Sequence, residues 1–192
     1  MNRKQVLPQI ELPNDLNALQ KVDFSAHQSY YGTGFLSVAD LPRVADAVSS
    51  IGPEDGFDYK VFSEIQGMSG SKAHQILSLE VHGRLHVVCQ RCLKDCSQEL
   101  VEKRQFLLMA SEAEADAYPI EDDLYEPLVA SNHFDLLGLI EDEILLSFPL
   151  IPKHEEGTCQ AQTPPKVNKE PISGDQLKRE NPFNILKNMK KN

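Results

Sequence analysis

The chain has 192 residues, 41% of them hydrophobic, with no Trp, four Cys and a formal net charge of −10. That is enough for one domain with a core. The acidic balance disfavours broad, non-specific binding to phosphate backbones and favours a basic protein partner or plain solubility.

The charge is unevenly placed. Residues 1–104 carry 11 Lys/Arg and 13 Asp/Glu, residues 105–152 carry 11 acidic residues and no Lys or Arg, and residues 153–192 carry 8 basic and 5 acidic residues. The start, Met1-Asn2-Arg3-Lys4, leads into a stretch too short and polar for a secretory signal. No apolar run approaches the roughly 20 residues a membrane helix needs. A soluble, cytoplasmic protein is expected, and with it four Cys serve as metal ligands, redox groups or quiet thiols rather than a disulfide framework.

The first 35 residues are polar, with Pro8 and Pro13, and read as irregular structure with short strands, Asp23–Ser29 among them. Within them Tyr31-Gly32-Thr33-Gly34-Phe35 reads as a turn. Ser37–Ile51 reads as a helix, from Leu41, Val44, Ala45 and Val48 at helical spacing, capped by Asp40 and ended by Gly52-Pro53. Phe57–Ile65 alternates as a strand. Gly67–Ser71 is a turn, and His74–Cys89 is a long strand, bent or bulged at Gly83. Gln98–Ala110 is β-rich. Ser111–Asp123 reads as an acidic loop and Tyr125–Ala130 as a short strand.

Phe134–Phe148 is the clearest helix. Leu137, Ile140, Ile144 and Phe148 line one face, while Glu141, Asp142 and Glu143 fall opposite it or at its edge, and Pro149 stops it. The expected fold is α+β: an antiparallel sheet of three to five strands with one or two packed helices. Residues 1–159 form the domain, 160–180 a flexible linker, and 181–192 a short basic amphipathic segment in which Phe183, Leu186 and Met189 recur every third residue.

The chemistry concentrates in the cysteines. Cys89-Gln90-Arg91-Cys92 is a C-x2-C turn between two strand-like runs, the setting of a zinc knuckle. His154 and Cys159 follow the Pro149–Pro152 stop and supply the other two ligands of a structural Cys3His zinc site; Cys96 competes for a place. A thiol-redox centre is the alternative, yet no helix begins after Cys92 to lower a thiol pKa. No nucleophile elbow, phosphate loop or dinucleotide fingerprint occurs, so no enzyme is expected.

Three blocks share one pattern. Val88-Cys89-Gln90-Arg91-Cys92, then Phe134–Glu155 with its Asp135-Leu136-Leu137 and Pro149-Leu150-Ile151-Pro152 ends, and finally Cys159 followed by Asn181-Pro182-Phe183-Asn184-Ile185-Leu186 resemble the bacterial YceD family, the large ribosomal RNA subunit accumulation proteins. The resemblance implies a non-enzymatic role in synthesis, processing or stability of 23S ribosomal RNA, and so in large-subunit biogenesis. Partners would be ribosomal RNA or a pre-ribosomal particle, with a basic ribosomal protein or assembly factor. The residues nominated for RNA phosphate are Arg91, Lys94, Lys187, Lys190 and Lys191. Those nominated for a basic protein are Glu121, Asp122, Asp123, Glu141, Asp142 and Glu143.

Overall fold

A computed structural model describes residues 9–26, 28–66, 74–121 and 124–159. The expected linker 160–180 and basic segment 181–192 lie outside them. In chain order the elements are β1 (Gln9–Glu11), α1 (Leu16–Leu19), β2 (Ser29–Ser37), a 3-10 turn (Val38–Asp40), α2 (Pro42–Ala47), β3 (Gly56–Gln66), β4 (His74–Val88), β5 (Asp95–Met109), α3 (Glu112–Asp116), β6 (Glu126–Val129) and α4 (Leu136–Leu146).

The strands form one sheet in the order β1-β2-β3-β4-β5-β6. The β2-β3, β3-β4 and β4-β5 pairings are antiparallel, while β1 lies parallel to β2 and β6 parallel to β5. This corrects the expected antiparallel sheet of three to five strands with one or two helices: among the described residues the sheet is mixed, with six strands and four α-helices. Parallel neighbours need a crossover of about a dozen residues or more. Residues 12–28 and 110–125 supply the two crossovers, and each carries a short helix. Helices of four and five residues are too short to show a 3.6-residue period, which is why Leu16–Leu19 passed as irregular structure and Ser111–Asp123 as a loop; the strand expected at Asp23–Ser29 is not formed, only Ser29 belonging to β2. Local caps hold both helices, Asp15 accepting from the Ala18 N–H at 3.1 Å and Ser111 from the Glu114 N–H at 3.3 Å.

The expected Ser37–Ile51 helix is split. Pro42 disfavours helical backbone at the residue before it, and Leu41 is non-helical at φ −117° and ψ 85°. Leu41 has no capping side chain. Glu141 of α4 does that work instead, its Oε1 accepting from the Arg43 N–H at 2.6 Å and the Val44 N–H at 3.2 Å.

The expected turn at Gly32-Thr33-Gly34 is the middle of β2. The two glycines share the inner face with Tyr30 and Leu36, and a Cβ on Gly34 would stand 2.7 Å from the Tyr59 ring. The expected bend at Gly83 is also absent. Gly83 pairs in unbroken ladders with Phe57 and Leu100, and a Cβ there would meet the Gly56 carbonyl at 2.1 Å. Both glycines mark close approach rather than a turn.

The main core lies between the inner sheet face and α1, α2 and α4. Phe57, Val61, Leu77, Leu79, Leu85 and Phe106 of the sheet meet Leu19, Val44, Leu136, Ile140 and Ile144. Strand parity sends the other side chains outward. There Ile76, Leu107 and Met109 pack with Ala115, Tyr118 and Tyr125 near α3. Further along the same face the sheet is largely open, with Phe35 and Val101 more than half exposed.

The α4 helix begins at Asp135, which accepts from the Gly138 N–H at 2.8 Å. Its acidic triplet is not a solvated face. Glu141 and Glu143, at the edges of the apolar stripe, are buried, and only Asp142 is exposed. Glu141 pairs with Arg43 Nε at 2.8 Å, and Glu143 lies 3.2 Å from Arg104 Nε without a well-aligned hydrogen bond on that oxygen. Burial pushes the Glu143 carboxyl up; Arg104 opposes this, and Glu126 and Glu102 add to it.

Two outcomes are expected. Ile140 is fully buried, so Ile140→Ala should cost about 2–5 kcal/mol in denaturant unfolding. The fold favours protonated Glu143, so this group's stabilisation is present below the usual carboxylate pKa of about 4.3 and lost as pH rises through its raised value. Wild type should therefore lose more melting temperature between pH 4 and 7 than Glu143→Gln; equal losses would contradict this reading.

Candidate metal centre

The β4-β5 ladder runs without a break from Gln75↔Leu108 to Val88↔Asp95. At its end the chain must reverse through six residues, Cys89 to Lys94. The Cys89 N–H donates to the Lys94 carbonyl at 2.9 Å, and the Leu93 N–H donates to the Cys89 carbonyl at 2.8 Å. Leu93 takes a positive φ of 59° to close the turn. The loop turns both thiols inward, leaving Cys89 and Cys92 at 0% and 1% exposure, while Arg91 and Lys94 face solvent.

The segment after α4 returns across this turn. Pro149 and Pro152 keep it from continuing the helix, and three hydrogen bonds stitch it down. The Gln90 N–H donates to the Pro152 carbonyl at 2.9 Å, Gln98 Nε2 to the Lys153 carbonyl at 3.2 Å, and His154 Nε2 to the Asp95 carbonyl at 2.9 Å. His154 and Cys159 thereby reach the two knuckle cysteines. The Cys89 and Cys159 sulfurs stand 3.9 Å apart, and Cys92 Sγ lies 3.5 Å from His154 Nδ1. The four ligand atoms all fall within 4.8 Å of one another. A disulfide would need about 2.05 Å between sulfurs, and all four cysteines are free thiols.

The electrostatics suit anionic sulfur. Burial alone would raise the Cys89 thiol, but the backbone N–H groups of His154, Cys92 and Arg91, with the His154 side chain, bring it down to about 5. Cys92 is pushed up, first by burial and then by the neighbouring Cys159 and Cys89 sulfurs. The Arg91 guanidinium pairs with the Cys159 sulfur, which raises its own pKa. One knuckle thiol thus loses its proton readily, while the other keeps it until something stronger than a proton competes. Four such donors converging on one point can hold a metal ion. With every position filled by protein, such a site leaves no open place for a reacting water.

The structure brings together Cys89, Cys92, His154 and Cys159. Cys96 packs beside Cys89 and Cys92 in one buried cluster, but its sulfur accepts from Gln98 Nε2 at 3.0 Å and lies outside the four-ligand group. Of the acidic residues nominated for a partner, Glu121 and Asp142 are exposed, Glu141 and Glu143 are buried, and Asp122 and Asp123 lie outside the described residues. Lys187, Lys190 and Lys191 also lie outside them. Sequence reasoning missed Gln98 and Asp95, because a contact made by or to a backbone carbonyl leaves no pattern in residue types.

All four converging residues fall within residues 77–190, which match the family of the large ribosomal RNA subunit accumulation protein YceD. The chain belongs to this family. It is 26% identical over 160 residues to the large ribosomal RNA subunit accumulation protein YceD of Haemophilus influenzae, covering 82% of this chain and 86% of that one. No solved structure matches. Family membership supports a non-catalytic, accessory role.

Leu93 gives a test of the knuckle's backbone. A left-handed conformation costs an L-residue about 1–2 kcal/mol, and this side chain is 67% exposed, so it recovers little by packing. Leu93→Gly should range from neutral to about 1 kcal/mol stabilising, since glycine's own entropy cost offsets part of the relief. Leu93→Val, β-branched at positive φ, should destabilise. Guanidinium denaturation of the three proteins reads the order directly.

Proposed function

We propose that the chain is a non-enzymatic factor in the synthesis, processing or stability of 23S ribosomal RNA, and so in large-subunit biogenesis in the cytoplasm. Its fold would be completed by a structural zinc ion held by Cys89, Cys92, His154 and Cys159. Family membership supports the first part, and the convergence of the four ligand atoms carries the second. A tetrahedral zinc ion, with bonds of about 2.3 Å to sulfur and about 2.0–2.1 Å to nitrogen, sets its ligands about 3.8 Å (S···S) and 3.5 Å (S···N) apart. Two of the six separations, 3.9 Å and 3.5 Å, lie near these values, and all six fall within 4.8 Å.

The ion would join two stretches more than sixty residues apart in sequence, the hairpin end and the segment after α4. Without it their hold is a few hydrogen bonds and one small cluster of sulfurs. A thiol-redox role for Cys89 and Cys92 has less support. The low Cys89 pKa suits it, but the thiol is fully buried and, among the described residues, no helix begins at the turn that carries it.

For partners, we propose ribosomal RNA or a pre-ribosomal particle at the knuckle, through the exposed Arg91 and Lys94, with Lys187, Lys190 and Lys191 adding basic charge. A basic ribosomal protein or assembly factor would meet exposed acidic residues, Glu121 and Asp142 among them. Glu141 and Glu143 are turned into the fold and would serve it structurally.

Native mass spectrometry should find one zinc per chain, and Cys92→Ser should lose it. Cells lacking the chain should show a reduced ratio of 23S to 16S ribosomal RNA, restored by the wild-type chain. A normal ratio would overturn the ribosomal role, and a metal-free native chain would overturn the zinc.

A further inference from the structure

The metal-ligating nitrogen of His154 is decided by a residue outside the ligand set. His154 Nε2 lies 2.9 Å from the backbone carbonyl of Asp95. A carbonyl only accepts, so Nε2 must carry the proton, and in the neutral ring Nδ1 then holds the free lone pair. Nδ1 is the atom facing Cys92 Sγ at 3.5 Å.

The same residue is tied down from its other end. The Asp95 carboxylate accepts from the hydroxyls of Ser49 and Ser50, the latter at 3.0 Å, in the connection between α2 and β3. That connection is itself bound to β4: Ser50 bridges His86, and the Ser49 N–H donates to the His86 carbonyl at 2.8 Å. His86 Nδ1 bonds the buried Asp55 at 2.7 Å, and its Nε2 lies 3.9 Å from the second Asp95 oxygen. Asp95 also opens β5, paired with Val88 next to the first ligand, Cys89. One residue thus touches the histidine ligand, the hairpin register and the α2–β3 connection.

We propose that Asp95 is the positioning residue of the metal centre: its carbonyl fixes His154 as an Nδ1 ligand, and its serine-held carboxylate fixes the carbonyl. This rests on the metal reading above and goes beyond it by naming the nitrogen and the residue that selects it. A ring held this way enters the ligand shell with its tautomer and orientation already set. Partners of this kind typically contribute 10–100-fold in metal affinity.

The test uses the full chain, labelled with 15N at histidine, loaded with zinc and compared with its metal-free form. Long-range proton–nitrogen spectra should show His154 with Nδ1 metal-bound and Nε2 protonated. Zinc affinity, measured by chelator competition, should fall about tenfold or more in Asp95→Ala and in the Ser49→Ala/Ser50→Ala double variant, with Asp95→Asn losing less. The double variant keeps every ligand and alters only exposed hydroxyls, so it serves if Asp95→Ala fails to fold.

Zinc bound through Nε2, or bound without His154, would overturn the assignment and leave the metal site standing. Nδ1 ligation with unchanged affinity in the double variant would overturn the role of the carboxylate. A chain that binds no zinc would remove both this inference and the metal reading beneath it.

Discussion

The fourteen-pair ladder between β4 and β5 is the constraint on which the rest of the structure depends. Its register sets which side chains face α4 and which face α3. Leu77 opposite Phe106 points into the main core, while Ile76 opposite Leu107, one step along, points into the second. A slip of one residue on either strand would exchange the two faces. The ladder also runs past the end of β3, whose last partner at this end is Arg84. The hairpin tip therefore projects beyond the antiparallel body of the sheet, where the return segment can reach it.

What happens at that tip follows from sequence distance. Residues 152–159 come back to the hairpin after β5, α3, β6 and α4 have all been built, and the contacts they make span 55 to 70 residues. Closing so long a loop costs conformational entropy, and a handful of hydrogen bonds contributes roughly 1 kcal/mol each. The proposed zinc ion, drawing ligands from both ends, would add binding energy at that one point. A closed shell of protein ligands would make that contribution structural.

Much of the outline was legible in the residues. The period-2 runs of β3, β4 and β5 and the α4 stripe are long enough to declare themselves, and the C-x2-C spacing announced the knuckle. The mixed character of the sheet was hidden because the helices of its two crossovers have four and five residues and because β1 has only three. Gly32 and Gly34 misled for a different reason: glycine signals a turn and close packing with the same letter, and only Leu12 beside Gly32 and the Tyr59 ring beside Gly34 separate the two. The pairing of Cys89 and Cys92 with His154 and Cys159 was a question of one distance that no spacing rule could answer. Asp95 was illegible altogether, because the atom that matters most there is its backbone oxygen.

The acidic triplet of α4 shows how tertiary structure reassigns charge. On a helix, three consecutive positions span about 200°, so they cannot all share one face with the solvent. Leu137, Ile140 and Ile144 fix the buried direction, and Glu141 and Glu143 then fall at its two margins. A carboxylate there must find partners or lose its charge. Glu141 finds the uncapped start of α2 and the Arg43 side chain, 98 residues away, and so joins α2 to α4. Among the described residues Glu143 finds only Arg104, with Glu102 and Glu126 nearby, and burial raises its pKa. The two acids look alike in sequence and differ in what the neighbouring strand and helix bring to them. The acidic stretch is therefore no uniform belt: on α4 it is partly a set of internal clamps, and the surface left for a basic partner is narrower than the charge count implies.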